Sequence, residues 1–226
     1  MPHSPQILKP HAAVAERVLL PGDPGRALRL ATQLIDGPRM LNHHRGLWGY
    51  SGPAADGEPL TIQSTGLGGP SAAAVISDLV ALGACRVIRV GTATGVGETP
   101  LGALIVADAA LAGDGASRAL GATERAAADV ELSDALARSR AVRGLVASAD
   151  IHSPVLPAAW ADAGVLASDL TTAAVLAAAR HHGVRAAAVL GITRAHGQRL
   201  ADDALEPLEA ALGAAGLSAL PARAGR

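Results

Sequence analysis

Phenylalanine is absent from this 226-residue chain, and two tryptophans and one tyrosine supply nearly all its aromatic area. A core of stacked rings is therefore excluded. Half of the residues are still apolar, enough for a sizeable core, and Ala, Val and Leu dominate them. Small side chains must do the packing of helix on strand. The single cysteine, Cys85, excludes an internal disulfide framework and a cysteine-based zinc site. Its apolar setting, LGACRVIRV, makes it a buried structural thiol. Excess charge is missing too. The net charge is −1 with no basic block, which argues against nucleic acid as a partner. Long apolar runs are also lacking. Asp78 interrupts the longest, AAAVISDLVALGA, well short of the roughly 18 residues a membrane span needs. The N-terminal MPHSPQILKPHAAV has no continuous apolar region of the kind a leader carries. A cytoplasmic protein with no membrane partner is expected, as one domain over residues 1–226.

What is present is an alternation of strand and helix patterns. Strands are expected at Arg17–Leu20, Leu47–Ser51, Leu60–Ser64, Arg86–Gly91, Leu104–Ala109, Gly144–Ser148, Gly164–Asp169 and Ala186–Thr193. Several are continuous apolar runs, such as VIRVG and AAAVLGIT, as strands covered on both faces should be. Helices are expected at Gly25–Gln33, Pro70–Leu82, Leu132–Val142, Leu156–Ala163, Thr171–His182 and Leu205–Leu212, the last with Pro207 in its first turn. This pattern predicts an α/β fold, a three-layer αβα sandwich around a mostly parallel or mixed sheet. Residues 113–130 form the most loop-like stretch and are expected to be a flap. The tail PARAGR is expected to fray.

Three glycine stretches carry the chemistry. In RVLLPGDPGRAL (17–28) a short apolar run breaks into two glycines and two prolines, then Arg26. That is either a tight turn or an anion cradle at a helix N-terminus. The stretch Thr65-Gly66-Leu67-Gly68-Gly69-Pro70-Ser71 follows a strand and opens a helix. It is not a dinucleotide fingerprint, because Ser71 stands at the third glycine and no acid lies about twenty residues on. In Ile88-Arg89-Val90-Gly91-Thr92-Ala93-Thr94-Gly95 a charged arginine sits inside an apolar strand. Such a group needs a partner or a ligand: Arg89 either holds a core carboxylate or faces an anion. With Gly22, Arg26 and the Arg45-Gly46 of NHHRG, the set has the donors to neutralise a phosphate dianion.

Taken in order, LLPGDPGRA (19–27), HRGLWGYSG (44–52), STGLGGPS (64–71) and VIRVGTATG (87–95) resemble the nucleoside phosphorylase family of the purine and uridine type. The resemblance extends weakly to about residue 215. It implies a mixed, distorted, barrel-like sheet within the αβα sandwich. It also implies a homodimer or a hexamer built as a trimer of dimers, with shared active sites. By resemblance, Gly22, Arg26, Arg89 and Thr92 are phosphate ligands, and Arg45 reaches the phosphate of a neighbouring subunit. Leu67, Ala93 and Thr94 fall along the nucleoside. The implied reaction is phosphorolysis of an N-glycosidic bond, with inorganic phosphate as co-substrate and no cofactor or metal. The adjacent pairs His43-His44 and His181-His182 have poor chelate spacing and are expected on the surface.

The chain departs from that family on the nucleoside side. In Ala167-Ser168-Asp169-Leu170-Thr171-Thr172-Ala173, Asp169 stands for the family's first glutamate and Leu170 for its methionine. Thr171 stands where a ribose-binding carboxylate belongs, and is either a helix N-cap or a ligand. After the late strand, Thr193-Arg194-Ala195-His196 places Arg194 where the purine branch has an acidic proton donor. Arginine does not release a proton near neutrality, but it donates hydrogen bonds to an anionic leaving group. His196 is the titratable alternative. Gln6 replaces a histidine and His152 approximates an aromatic over the base. The expected activity is phosphorolysis of a purine or pyrimidine nucleoside. The alternatives are a phosphate- and nucleoside-binding homologue impaired in catalysis, and a nucleosidase of the same fold.

Overall fold

The computed structural model describes residues 5–139, 141–152 and 158–222. Eleven strands among these residues form one mixed sheet. They are β1 (Arg17–Leu20), β2 (Arg39–Asn42), β3 (Gly49–Pro53), β4 (Pro59–Gln63), β5 (Arg86–Gly95), β6 (Leu104–Gly113), β7 (Arg125–Ala127), β8 (Val142–Ala149), β9 (Val165–Asp169), β10 (Arg185–Ala195) and β11 (Gln198–Arg199). Five of them close on themselves. β5 pairs β10 in parallel, β10 pairs β6 antiparallel, β6 pairs β8 and β8 pairs β9 in parallel, and β9 returns antiparallel to β5. From this barrel a wing runs outward through β1, β4, β3 and β2.

Helices cover both faces. They are α1 (Pro24–Leu34), α2 (Gly68–Ala81), α3 (Gly115–Ala119), α4 (Val130–Ala137), α5 (Ala158–Asp162), α6 (Thr172–His181) and α7 (Asp202–Ser218). The period of two in the strands sorts residues between the layers. Val18, Leu20 and Val87 face α2 and α6, where Val75, Ile76, Leu79 and Leu176 complete one core. Leu19, Ile88 and Val90 face the other way, toward Leu30 of α1, Leu136 of α4 and Leu212 of α7. Without phenylalanine, closeness comes from alanine. Helix α6 buries Ala173, Ala174, Ala177, Ala178 and Ala179. No helix of the described residues is long and apolar enough to cross a membrane.

Several expectations need correction. Residues 113–130 are not a flap. Asp114 caps α3 by accepting from Ser117 N at 2.8 Å, and β7 pairs with β6. The small polar residues there are cap and edge-strand chemistry, which composition alone reads as loop. The wing strand β2 and the turn at His44–Gly46 went unforeseen, because RMLN is too short and polar-flanked to show a period. Helix α4 stops at Ala137, and Val142 opens β8. Helix α7 starts at Asp202, so Pro207 lies in its second turn. Cys85 is half-buried, donating to Gly83 O at 3.4 Å. The expected helix at Leu156–Ala163 survives as α5, with residues 153–157 outside the described set. The end of the tail, 223–226, is also outside it.

Candidate active site

Strands β1, β5, β9 and β10 all deliver their C-terminal ends to one cavity of about 460 Å³, in the range of small-molecule sites. Carboxyl ends of parallel strands are where open α/β folds collect ligands, because the chain there leaves the sheet in loops that start helices. The first wall is the loop after β1. Asp23 is the N-cap of α1, accepting from Arg26 N at 2.7 Å, and Pro24 opens the helix. The neighbouring loop is tied to it by Thr65 N donating to Pro21 O at 2.8 Å. PGDPGR is a tight turn, and the turn is what brings Gly22 and Arg26 to the cavity.

Arg26 is 7 % exposed. Its Nε donates to Glu209 Oε1 of α7 at 2.9 Å. Arg29, one turn on, donates from Nε to the other oxygen, Glu209 Oε2, at 2.8 Å. Two arginines therefore share one buried carboxylate.

Arg89 on β5 is 4 % exposed and has two roles. Its Nε and Nη2 donate to Asp169 Oδ2 at 3.1 and 2.8 Å, and Nε also reaches Thr172 Oγ1 at 3.1 Å. Among the described residues its Nη1 is buried without a hydrogen-bond partner. A Cβ on Gly91 would lie 2.7 Å from Arg89 Nη2, so glycine is what lets the guanidinium fold against its own strand.

Asp169 is held on all sides. Oδ1 accepts from Ser148 Oγ at 2.6 Å and from the Thr171 and Thr172 amides at 3.1 Å. Oδ2 accepts from Arg89 and from Thr172 Oγ1 at 2.7 Å. Burial pushes its carboxyl up, but the Arg89 charge and the Ser148, Thr172 and Thr171 hydrogen bonds outweigh it and hold it below the ordinary carboxylate value. Asp169 also lines the cavity. Its acceptor sites are occupied from within the protein, and it orients Arg89.

The remaining expected residues divide cleanly. Thr92, Ala93, Thr94, Leu67, His152, Leu170, Thr171 and Arg194 all line the cavity. Thr171 occupies the N-cap position of α6, but its side chain makes no capping hydrogen bond, and it is 4 % exposed. Arg45 and His196 are not in the lining. Arg45 is exposed in the His44–Gly46 turn at φ 59°. His196 is exposed at φ 50° in the two-residue turn it forms with Gly197 between β10 and β11.

The sequence reading missed Glu209, Arg29 and Arg199. Glu209 is one of four acids in α7 and nothing local in the sequence set it apart. Arg199 was deducible by counting from the His196-Gly197 turn. Among the described residues no cluster of His, Cys, Asp or Glu could hold a metal ion. The cavity's free donors are guanidinium, hydroxyl and amide groups, a chemistry for oxyanions.

Curated relatives carry matching names. The chain is 41% identical over 86 residues to Purine nucleoside phosphorylase DeoD-type of Exiguobacterium sp., covering 38% of this chain and 36% of that protein. It is 40% identical over 145 residues to Uridine phosphorylase of Thermococcus kodakarensis, 61% of this chain and 52% of the relative. Uridine phosphorylase of Treponema pallidum is 37% identical over 106 residues, 46% and 40% of the two chains. The chain thus spans about a third to half the length of these relatives. The model for the phosphorylase superfamily matches residues 16–216, a stretch that contains all four glycine and arginine motifs, and the chain belongs to that family.

Proposed function

We propose that this protein is a nucleoside phosphorylase that cleaves the N-glycosidic bond of a nucleoside with inorganic phosphate. One observation carries the reading: Arg89 Nη1 is buried with no hydrogen-bond partner among the described residues, while the rest of the guanidinium is locked by Asp169. A pinned arginine with one free donor is a preorganised anion site.

The steps follow from what each residue can donate. Phosphate sits on Gly22, Arg26, Arg89 and Thr92, with Arg45 supplied by a second copy of the chain in a homodimer or hexamer. A phosphate oxygen attacks the anomeric carbon as the bond to the base nitrogen breaks. The electron pair leaves with the base. Arg194 donates hydrogen bonds to the departing anion, which takes its proton from solvent. Leu67, Ala93, Thr94, His152, Leu170 and Thr171 shape the nucleoside end. The protein supplies positioning and charge stabilisation and forms no covalent bond. The relatives are named for purine and for uridine phosphorolysis; a guanidinium at the base end favours pyrimidines, whose carbonyl oxygens accept from it.

A second reading is a binding protein without turnover. It is favoured by the absence, among the described lining residues, of a buried carboxylate free to hold the sugar hydroxyls. One assay separates these. Uridine, thymidine, inosine and adenosine are incubated with folded protein, with and without phosphate, and free base and sugar 1-phosphate are measured. Phosphate-dependent release of both products is expected. No turnover, with phosphate still raising the melting temperature, assigns the binding reading. Equal turnover without phosphate makes the protein a nucleosidase.

A further inference from the structure

The far end of the cavity carries a second pair of arginines that phosphate binding does not use. Arg194 is the last residue but one of β10, and Arg199 lies on β11, directly opposite it in the antiparallel register. Both line the cavity. The turn between them has two residues, His196 and Gly197, both at positive φ. Such turns fix hairpin register and keep opposed side chains on one face. A register shift between Ile192 and Arg194 adds a bulge just before the hairpin. Bulges re-aim side chains, and they recur beside functional sites.

Two like charges placed directly opposite one another destabilise a strand pair. Neither is well compensated here. Arg194 has no hydrogen bond or ion pair among the described residues. Arg199 approaches Asp202 at 3.7 Å, with side chains 71% and 93% exposed, a pair of little energetic weight. This contrasts with Arg26 and Arg89, each locked to a buried carboxylate. The two pairs are also well separated. Arg89 is registered with Ala188 and Arg194 with Thr94, five residues further along β5, so the backbones stand roughly 16 Å apart.

We infer that Arg194 and Arg199 form a second anion subsite, and that the preferred substrate is a nucleoside carrying an anionic group of its own, a carboxylate or a phosphate. This rests on the nucleoside reading of the cavity. The attacking phosphate occupies the Arg26–Arg89 end, and the substrate's anion bridges the two guanidinium groups at the hairpin. That bridge removes the cross-strand repulsion.

The test is binding, measured by calorimetry on the full chain with sulfate, a poor nucleophile that holds the Arg26–Arg89 end without cleaving the nucleoside. Uridine and inosine are compared with uridine 5′-monophosphate, inosine 5′-monophosphate and orotidine. The expected result is at least one anionic compound binding about tenfold tighter than its neutral counterpart, the scale of a charge-assisted contact. That gain should vanish in both Arg194→Gln and Arg199→Gln, and shrink as salt rises. Gain with orotidine places the anion on the base, beside the leaving-group contact of Arg194; gain with the monophosphates places it at the 5′ carbon and removes Arg194 from the leaving group. Equal binding of neutral and anionic compounds, or a gain that survives both substitutions, overturns the inference. Because binding needs no turnover, failure of phosphorolysis is read separately in the product assay.

Discussion

Arg26 and Arg89 look alike in the sequence and differ in what their removal does. Glu209 keeps Arg29 as a partner when Arg26 is deleted. Arg26→Ala should therefore leave the fold intact and weaken phosphate binding by tenfold or more, a loss of about 1.5–3 kcal/mol, read by calorimetry. Arg89→Ala strands Asp169, which is 5 % exposed, with no compensating cation. Burial then dominates and drives its carboxyl up. The expected cost is about 3–5 kcal/mol of stability, seen as a large drop in melting temperature. A fully stable Arg89→Ala protein would show that the pair does not hold the site. The sequence posed Arg89 as either core partner or ligand. The structure gives Nε and Nη2 to the core carboxylate of Asp169 and leaves Nη1, among the described residues, without a hydrogen-bond partner.

The element that matters most after the barrel is α7. From sequence it is a short closing helix, Leu205–Leu212. In the fold it starts at Asp202, and its single buried acid, Glu209, sets the orientation of Arg26. Glu209→Gln removes the charge shared by Arg26 and Arg29, leaving only Asp23 near Arg29 at 3.9 Å. Stability should fall by about 3 kcal/mol. The KM for phosphate should rise several-fold while kcat changes less, and Glu209→Asp should recover part of it. A purely structural role predicts an unchanged phosphate KM with less active protein. Glu209 and Arg26 are far apart in sequence, so no local pattern connects them.

The molecule as a whole is stapled near its ends by a charge cluster remote from the site. Arg17 on β1 is 2 % exposed. It donates to both oxygens of Asp56, to the carbonyls of Glu58 and Pro59, and to Leu220 O after α7. The Arg17 hydrogen bonds, against the opposing effect of burial, lower the Asp56 carboxyl from 3.8 to about 2. A depressed carboxylate stabilises the fold above its unfolded value and loses that contribution as pH falls through the folded one. The melting-temperature gap between the native protein and Asp56→Asn should hold steady above pH 4 and close toward pH 2. A gap independent of pH across that window would refute the ionic part of the contact.

Local chemistry was enough to predict the alternation of strand and helix and the three layers. Backbone propensity, turn residues and apolar period act within a few residues, and the glycine stretches carry their cations beside them. What sequence did not reveal depends on closure of the barrel. It brings Asp169 beneath Arg89, Glu209 against Arg26, and Thr171 to the cavity without a capping bond, pairs separated by up to 183 positions in the chain. A buried ion pair exists only where two distant segments are desolvated together, and no segment alone specifies that. The loop-like composition of residues 113–130 misled for the same reason: Ala126 becomes strand only because β6 is there to pair with it.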